Sequence, residues 1–391
     1  MSCQVVTKER CTDERTGRYE SVNKMIQEAT HGAVENVAMY ANEDYCVPLQ
    51  EFIDLEKKGT WKELDDTWKA IRTAYQDKDG KQIGYPQGYS YPVIYYNKDM
   101  FAKAGIDASK DLKSFEDLYT VSKKLVDGGY TTYGIGFHPD GYYFNAALGR
   151  EGIMYYDNDN GYKGTIEKCL YTSDSTVNNA VKTMLGVYQK LHAENLCIAY
   201  GSNYQKEIIP QLADGACAMM MAVVSVTGKV LTAVGDKFEV GIVPMISATN
   251  AGKRTGEPAG GTGAFICNNG NKWAQKGAYE FIKFASTADQ AAKFATMTGY
   301  LAPNSDAYNS DTYKDYLTNT FPAITAVYDN LAKSDSSANN PYIPISNEMK
   351  SANKLAVETV ASDPKANIDE VIKTAQETIQ EAIELYNMSN P

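Results

Sequence analysis

Residues 91 to 107 read Tyr91-Pro92-Val93-Ile94-Tyr95-Tyr96-Asn97-Lys98-Asp99-Met100-Phe101-Ala102-Lys103-Ala104-Gly105-Ile106-Asp107. Tyr91 to Tyr96 has the aromatic and β-branched make-up of a strand, and a helix starts near Lys98 with no loop between them. A second helix follows at Ser114, where Ser114-Phe115-Glu116-Asp117 is a capping-box pattern. In that pattern a hydroxyl and an acid three residues on each satisfy an N–H that the helix leaves orphaned. This second helix carries Leu118, Val121 and Leu125 on one face and stops at Gly128-Gly129.

The same alternation extends in both directions. Downstream, strands are expected at Tyr133 to Phe137, Cys217 to Val224, Phe238 to Val243 and Gly263 to Cys267. Helices are expected over Val177 to Leu191, Tyr204 to Leu212, Trp273 to Ala285, Asp289 to Thr298 and Ile368 to Tyr386. Upstream, Val22 to His31 has helical spacing, and Val34 to Tyr40 is a short apolar run that suits a buried strand. Leu49 to Tyr75 looks helical, and Gln82 to Pro86 strand-like. Strands alternating with helices over most of a chain imply α/β layers. At 391 residues the chain exceeds one hydrophobic core and accommodates two lobes.

Composition narrows the function classes. A formal charge of −11 argues against nucleic acid, which needs clustered Lys and Arg, and against docking on anionic lipid. No stretch reaches the roughly 18 apolar residues of a membrane span. The seven Cys form no C-x-x-C pair and no disulfide framework, so free thiols are expected, and neither they nor the three His suggest a metal. No cofactor is expected, since no phosphate loop, nucleophile elbow or complete dinucleotide fingerprint appears. Tyr is abundant, 29 against 11 Phe and 3 Trp, and pairs an apolar face with a polar tip suited to polar ligands.

The run at Tyr91 to Asp107, with Ser114 to Leu118 after it, resembles extracellular solute-binding proteins of the maltose-binding class. Leu212-Ala213-Asp214-Gly215-Ala216-Cys217-Ala218-Met219, Gly260-Gly261-Thr262-Gly263-Ala264-Phe265 and Thr298-Gly299-Tyr300-Leu301-Ala302-Pro303 extend the resemblance, the last toward glycerol-3-phosphate-binding members. It implies a two-lobed, periplasmic-binding-protein-like fold of type II. The lobes would comprise 1–98 plus 262–312 and 99–261 plus 313–391, with the chain crossing between them near Asp99, Gly260 and Tyr313. The charged start, Met1 to Arg15, matches nothing in the family, so the first lobe is expected to lack its usual first strand and helix, and no signal peptide opens this chain. The family nonetheless implies an extracellular, cell-surface or periplasmic protein, anchored as a lipoprotein in some settings. A monomer that closes on its ligand by hinge motion and delivers it to the permease subunits of an ABC importer is expected.

Carried over position by position, the resemblance assigns ligand contacts to Tyr19, Tyr40, Glu43, Ser90, His138, Tyr142, Gly261 and Tyr300. Gly260 and Gly261 allow a close backbone approach or a hinge, and Gly299 lets Tyr300 face a cleft; an ordinary turn and a packed surface ring are the alternatives. The phosphate-pairing Arg of glycerol-phosphate binders has no counterpart among Asn347 to Lys354, where only Lys350 and Lys354 stand. Lys offers a point charge where Arg offers a fork. A neutral, hydroxyl-rich carbohydrate is therefore favoured over glycerol-3-phosphate or a glycerophosphodiester. A glycosidase would also use paired acids among aromatics, yet no acid–base pair among Glu43, Asp44, Asp140, Glu151 and Asp157 stands out, so no enzyme activity is expected.

Overall fold

The computed structural model describes residues 29–33, 36–42, 45–199, 204–254, 256, 259–334 and 340–390. Tyr19 and Glu43 lie outside them, as do the first 28 residues on which the expectation of a missing strand and helix rests.

The deciding stretch folds as its local chemistry dictates. Strand Pro92–Asn97 runs straight into helix Lys98–Lys103, because the Asn97 side chain accepts the Met100 N–H at 3.0 Å and so caps the helix its own strand leads into. At Ser114 the capping box is complete. The Asp117 N–H donates to Ser114 Oγ at 3.1 Å, and the Ser114 N–H to Asp117 Oδ2 at 3.2 Å.

Among the described residues nine strands make two sheets. β1 (Ala29–Ala33), β2 (Cys46–Val47), β3 (Tyr85–Ser90) and β9 (Gly260–Cys267) form the first, in which β9 pairs antiparallel with each of the other three. β4 (Pro92–Asn97), β5 (Tyr133–Phe137), β6 (Cys197–Ala199), β7 (Cys217–Val223) and β8 (Val240–Pro244) form the second, in the order β6-β5-β7-β4-β8. There β5 runs parallel to both neighbours and β4 antiparallel to both of its own. β3 and β4 belong to different sheets with only Tyr91 between them. The first change of sheet falls at Tyr91. The chain returns between β8 and β9, just before Gly260.

Side chains alternate across β7 and sort into different cores. Met219 and Met221 join the core that also holds Leu125, Met184, Val357 and Ile379, from helices Phe115–Asp127, Ser175–Ala193, Ser346–Ser362 and Ile368–Ser389. Met220 faces Ile208, Leu212 and Val230, in a core that continues through Tyr89 and Leu301 to the first sheet. A smaller cluster of Leu49, Phe52, Trp61, Tyr85 and Tyr279 covers that sheet elsewhere.

Three local expectations fail. The strand expected at Val34 to Tyr40 is a helix, Val37–Asn42, and β1 falls within the stretch assigned to a helix. A short apolar run cannot distinguish the two states, and β1 exists because β9 supplies the antiparallel partner, Ala29 opposite Ile266. The long helix expected over Leu49 to Tyr75 is three short ones, Leu49–Ile53, Lys62–Asp65 and Lys69–Thr73. Trp61 and Trp68 each precede a helix, and Trp61 is held from outside, its indole N–H donating to Ser286 Oγ at 2.7 Å. The strand expected over Gln82 to Pro86 is β3, Tyr85–Ser90, which starts later and runs through Pro86, where the register shifts between Tyr85 and Gly88. Among the described residues no helix is long and apolar enough to cross a membrane, and no group of three or more His, Cys, Asp and Glu could hold a metal.

Candidate functional site

β3 and β9 meet at the place where the chain passes between sheets, and two glycines let them. Gly261 has φ +86°, and a Cβ there would lie 2.1 Å from the Gly88 carbonyl oxygen and 2.9 Å from the Ser90 nitrogen. Only glycine fits on both counts. A Cβ on Gly260 would lie 1.8 Å from the Tyr142 hydroxyl and 3.1 Å from the Ser90 carbonyl oxygen. The Tyr142 phenol therefore rests on bare backbone.

Tyr142 arrives from the second sheet. β5 ends at Phe137, and helix Gly141–Glu151 begins four residues on, with the Asp140 carboxylate accepting the Tyr142 N–H at 2.9 Å. His138 stands at the same strand end, its Nε2 3.7 Å from Asp140 Oδ2 and its side chain 15% exposed. Gly141 is obligatory, since a Cβ would sit 2.0 Å from the Lys350 carbonyl oxygen. The backbone of Lys350 thus borders the turn that delivers Tyr142.

Ser90 and Tyr300 complete the group. Ser90 is buried, and its Oγ accepts the Ser225 N–H at 3.3 Å, from the turn that follows β7. Tyr300 follows Gly299 (φ +80°) at the end of helix Ala288–Thr298. Its ring stacks on Phe294 with centroids 5.7 Å apart and planes 15° apart, and Leu301 pairs with Tyr89 through an N–H to carbonyl bond of 2.9 Å. The Tyr300 Cζ lies 3.5 Å from where a Gly88 Cβ would be. Gly88 and Ser90, with their partners Thr262 and Gly260, share one face of the ladder. Tyr142, at Gly260, and Tyr300, at Gly88, therefore both approach that face.

The structure thus brings Ser90, Tyr142, Gly261 and Tyr300 to the β3/β9 ladder, while His138 is placed by its contact with Asp140 at the end of β5. Tyr40 is elsewhere. Its ring packs on Phe265 with centroids 4.6 Å apart, and Phe265 leaves β9 on the face opposite Thr262. Reading single residues missed Gly88, Thr262 and Asp140; only Asp140 had a signal, an acid just before a glycine-initiated helix. Of the two lysines near the missing arginine, Lys354 is engaged on its own helix, 3.6 Å from Glu358. Arg150 is buried at the far end of Tyr142's helix, donating to the Gly256 carbonyl at 3.0 Å and to Asn330.

A profile of the bacterial extracellular solute-binding protein family matches residues 19–320. The sn-glycerol-3-phosphate-binding periplasmic protein of Pectobacterium atrosepticum is 24% identical over 311 residues, 79% of this chain and 66% of that protein. Its namesake in Brucella melitensis is 27% identical over 284 residues, 71% of this chain and 61% of that one. The chain therefore spans just under two thirds of the length of these relatives. Among solved structures, the sugar-binding protein MalE of Xanthomonas citri superposes with a TM-score of 0.73 at 14% identity, covering 96% of this chain and 90% of that one. UgpB of Mycobacterium tuberculosis, in complex with glycerophosphocholine, gives 0.71 at 16% identity over 92% and 84%. The acarbose-binding GacH receptor of Streptomyces glaucescens gives 0.70 at 20% identity over 94% and 88%. The fold is the two-lobed one that these binding proteins share.

Proposed function

The chain belongs to the bacterial extracellular solute-binding family, and we propose that it captures a carbohydrate between its lobes and delivers it to the membrane subunits of an ABC importer. The observation that carries this reading is the meeting of Tyr142, from the second sheet, with Ser90, Gly260, Gly261 and Tyr300 around β3 and β9. Two phenols beside bare backbone offer apolar faces for sugar rings and polar tips for hydroxyl groups. Tyr19 and Glu43 complete the proposed contact set, with Glu43 as the hydroxyl acceptor, and His138 lines its edge. A ligand that touches both sheets binds the closed arrangement better, so it draws the lobes together about the passages at Tyr91 and Gly260. The protein works as a monomer outside the cytoplasmic membrane and turns nothing over, in keeping with a family of binding proteins.

The competing ligand is glycerol-3-phosphate or a glycerophosphodiester, which the names of the relatives favour. Against it stand the absent arginine and the engagement of Lys354 with Glu358, because phosphate recognition relies on a forked or free cation. A thermal-shift panel of neutral sugars, oligosaccharides and glycerol phosphoesters separates the two. A true ligand at 100 times its Kd adds about 2.7 kcal/mol of stability. Tyr300→Ala should weaken a sugar by about 1–3 kcal/mol, and Glu43→Gln should weaken it too. Stabilisation by phosphoesters alone, with Glu43→Gln tightening them, overturns the carbohydrate reading.

A further inference from the structure

Cys46 and Cys267 stand directly opposite one another on the antiparallel pair β2/β9. The neighbouring pair carries the hydrogen bond, with the Asn268 N–H donating to the Tyr45 carbonyl at 2.9 Å. Antiparallel ladders alternate between hydrogen-bonded and non-hydrogen-bonded pairs, so the two cysteines occupy a non-hydrogen-bonded pair. At such a pair the Cα atoms lie about 4.5 Å apart, with both side chains on the same face. That separation falls within the about 4.4–6.8 Å that a disulfide spans. The thiols also sense each other: burial first, and the neighbouring Cys267 second, push the Cys46 thiol up to about 12. Cys46 is buried while Cys267 is partly exposed, and Cys46 lines an open hollow with Asn268 and Lys272. No other described pair of cysteines is so placed. Cys197 and Cys217 flank β5 on opposite sides, one strand apart.

We propose that Cys46 and Cys267 are a redox pair that closes into a cross-strand disulfide, stapling the segment after helix Val37–Asn42 onto the strand that carries Gly260 and Gly261. The oxidant is a small-molecule disulfide, of the kind met outside the reducing cytosol. The more exposed Cys267 thiol loses its proton to water, and its thiolate attacks one sulfur of that disulfide. The oxidant's S–S bond breaks, one thiolate leaves, and a mixed disulfide remains on Cys267. Cys46 then loses its proton, and its thiolate attacks Cys267 Sγ and expels the second thiolate. Two cysteine thiols are oxidised and one external disulfide is reduced to two thiols. The second step is held back near neutral pH by the protonated Cys46 and quickens as pH rises.

The test uses the full chain carrying C3S and C11S, which leaves the five cysteines Cys46, Cys169, Cys197, Cys217 and Cys267. The native protein is incubated with oxidised glutathione at several pH values, then denatured and alkylated for mass analysis. Alkylatable thiols should fall from five to three, with one crosslinked peptide pair joining Cys46 to Cys267. The oxidised form should unfold at a higher temperature than the reduced form, and dithiothreitol should reverse both changes. Adding C46S should leave only glutathione on Cys267, with no rise in unfolding temperature, whereas C197S should leave the bridge intact. Persistence of all five thiols, a bridge between other cysteines, or glutathione retained on Cys267 while Cys46 is present each overturn the proposal. None of these readouts involves the transport ligand, so the outcome stands apart from the carbohydrate reading.

Discussion

Replacing Gly261 with Ala imposes two penalties at once, and a second glycine separates them. At φ +86° an L residue adopts the left-handed region, which costs about 1–2 kcal/mol. The new Cβ also meets the Gly88 carbonyl oxygen at 2.1 Å and the Ser90 nitrogen at 2.9 Å. Both are backbone atoms of the β3/β9 ladder, so relief requires the strands to part, an overpacking cost of about 1–3 kcal/mol. The expected loss is therefore about 2–5 kcal/mol. Gly270 lies just beyond the same strand with φ +75° and nothing within 4 Å of an added Cβ. Gly270→Ala should carry only the dihedral cost of about 1–2 kcal/mol. Reversible urea unfolding followed by far-ultraviolet circular dichroism gives both values. If the two variants differ by less than about 0.5 kcal/mol, within the scatter of independent substitutions, the close approach of β3 to β9 is not what Gly261 serves.

Three further outcomes are expected. Gly260→Ala would place a Cβ 1.8 Å from the Tyr142 hydroxyl, so its effect on ligand affinity should shrink in a Tyr142→Ala background, with a coupling of about 0.5–3 kcal/mol in a calorimetric double-mutant cycle. The buried Glu151 carboxylate accepts the Thr249 N–H at 2.9 Å and pairs with the Thr249 hydroxyl at 2.5 Å, holding the loop that leads toward β9; Glu151→Gln should cost about 1.5–3 kcal/mol in denaturant unfolding. For Glu56, burial raises the carboxyl pKa, but hydrogen bonds from Lys283 and Tyr279 and the charges of Lys283 and Lys276 outweigh it and hold the group below its ordinary value. Its contribution is present above the unfolded value of 4.5 and is lost as pH falls through the lower folded value, so Glu56→Gln should destabilise the protein at pH 7 and make progressively less difference as acid is added.

Much of the architecture was legible because it depends on neighbours in sequence. The strand into helix at Asn97, the capping box at Ser114 and the 3.6-residue spacing from Ile368 onward are local chemistry, and the long match at Tyr91 to Asp107 identified the family. The wider family resemblance proposes Ser90, Tyr142, Gly261 and Tyr300 as ligand contacts. What could not be read was where they stand, because register and face are set by partners far along the chain. β1 is a strand through its pairing with β9, against its own local pattern. Tyr40 sits in a run that promised a cleft contact, yet it packs on Phe265, since alternation along β9 sends that ring to the opposite face. Cys46 and Cys267 are remote in sequence, and their spacing implied two unrelated thiols. Only the register of β2 on β9, fixed by the Asn268 to Tyr45 hydrogen bond, sets them opposite one another. A sequence states periodicities and caps because these act over a few residues, whereas strand pairing trades loop-closure entropy for distant contacts, which only the folded chain displays.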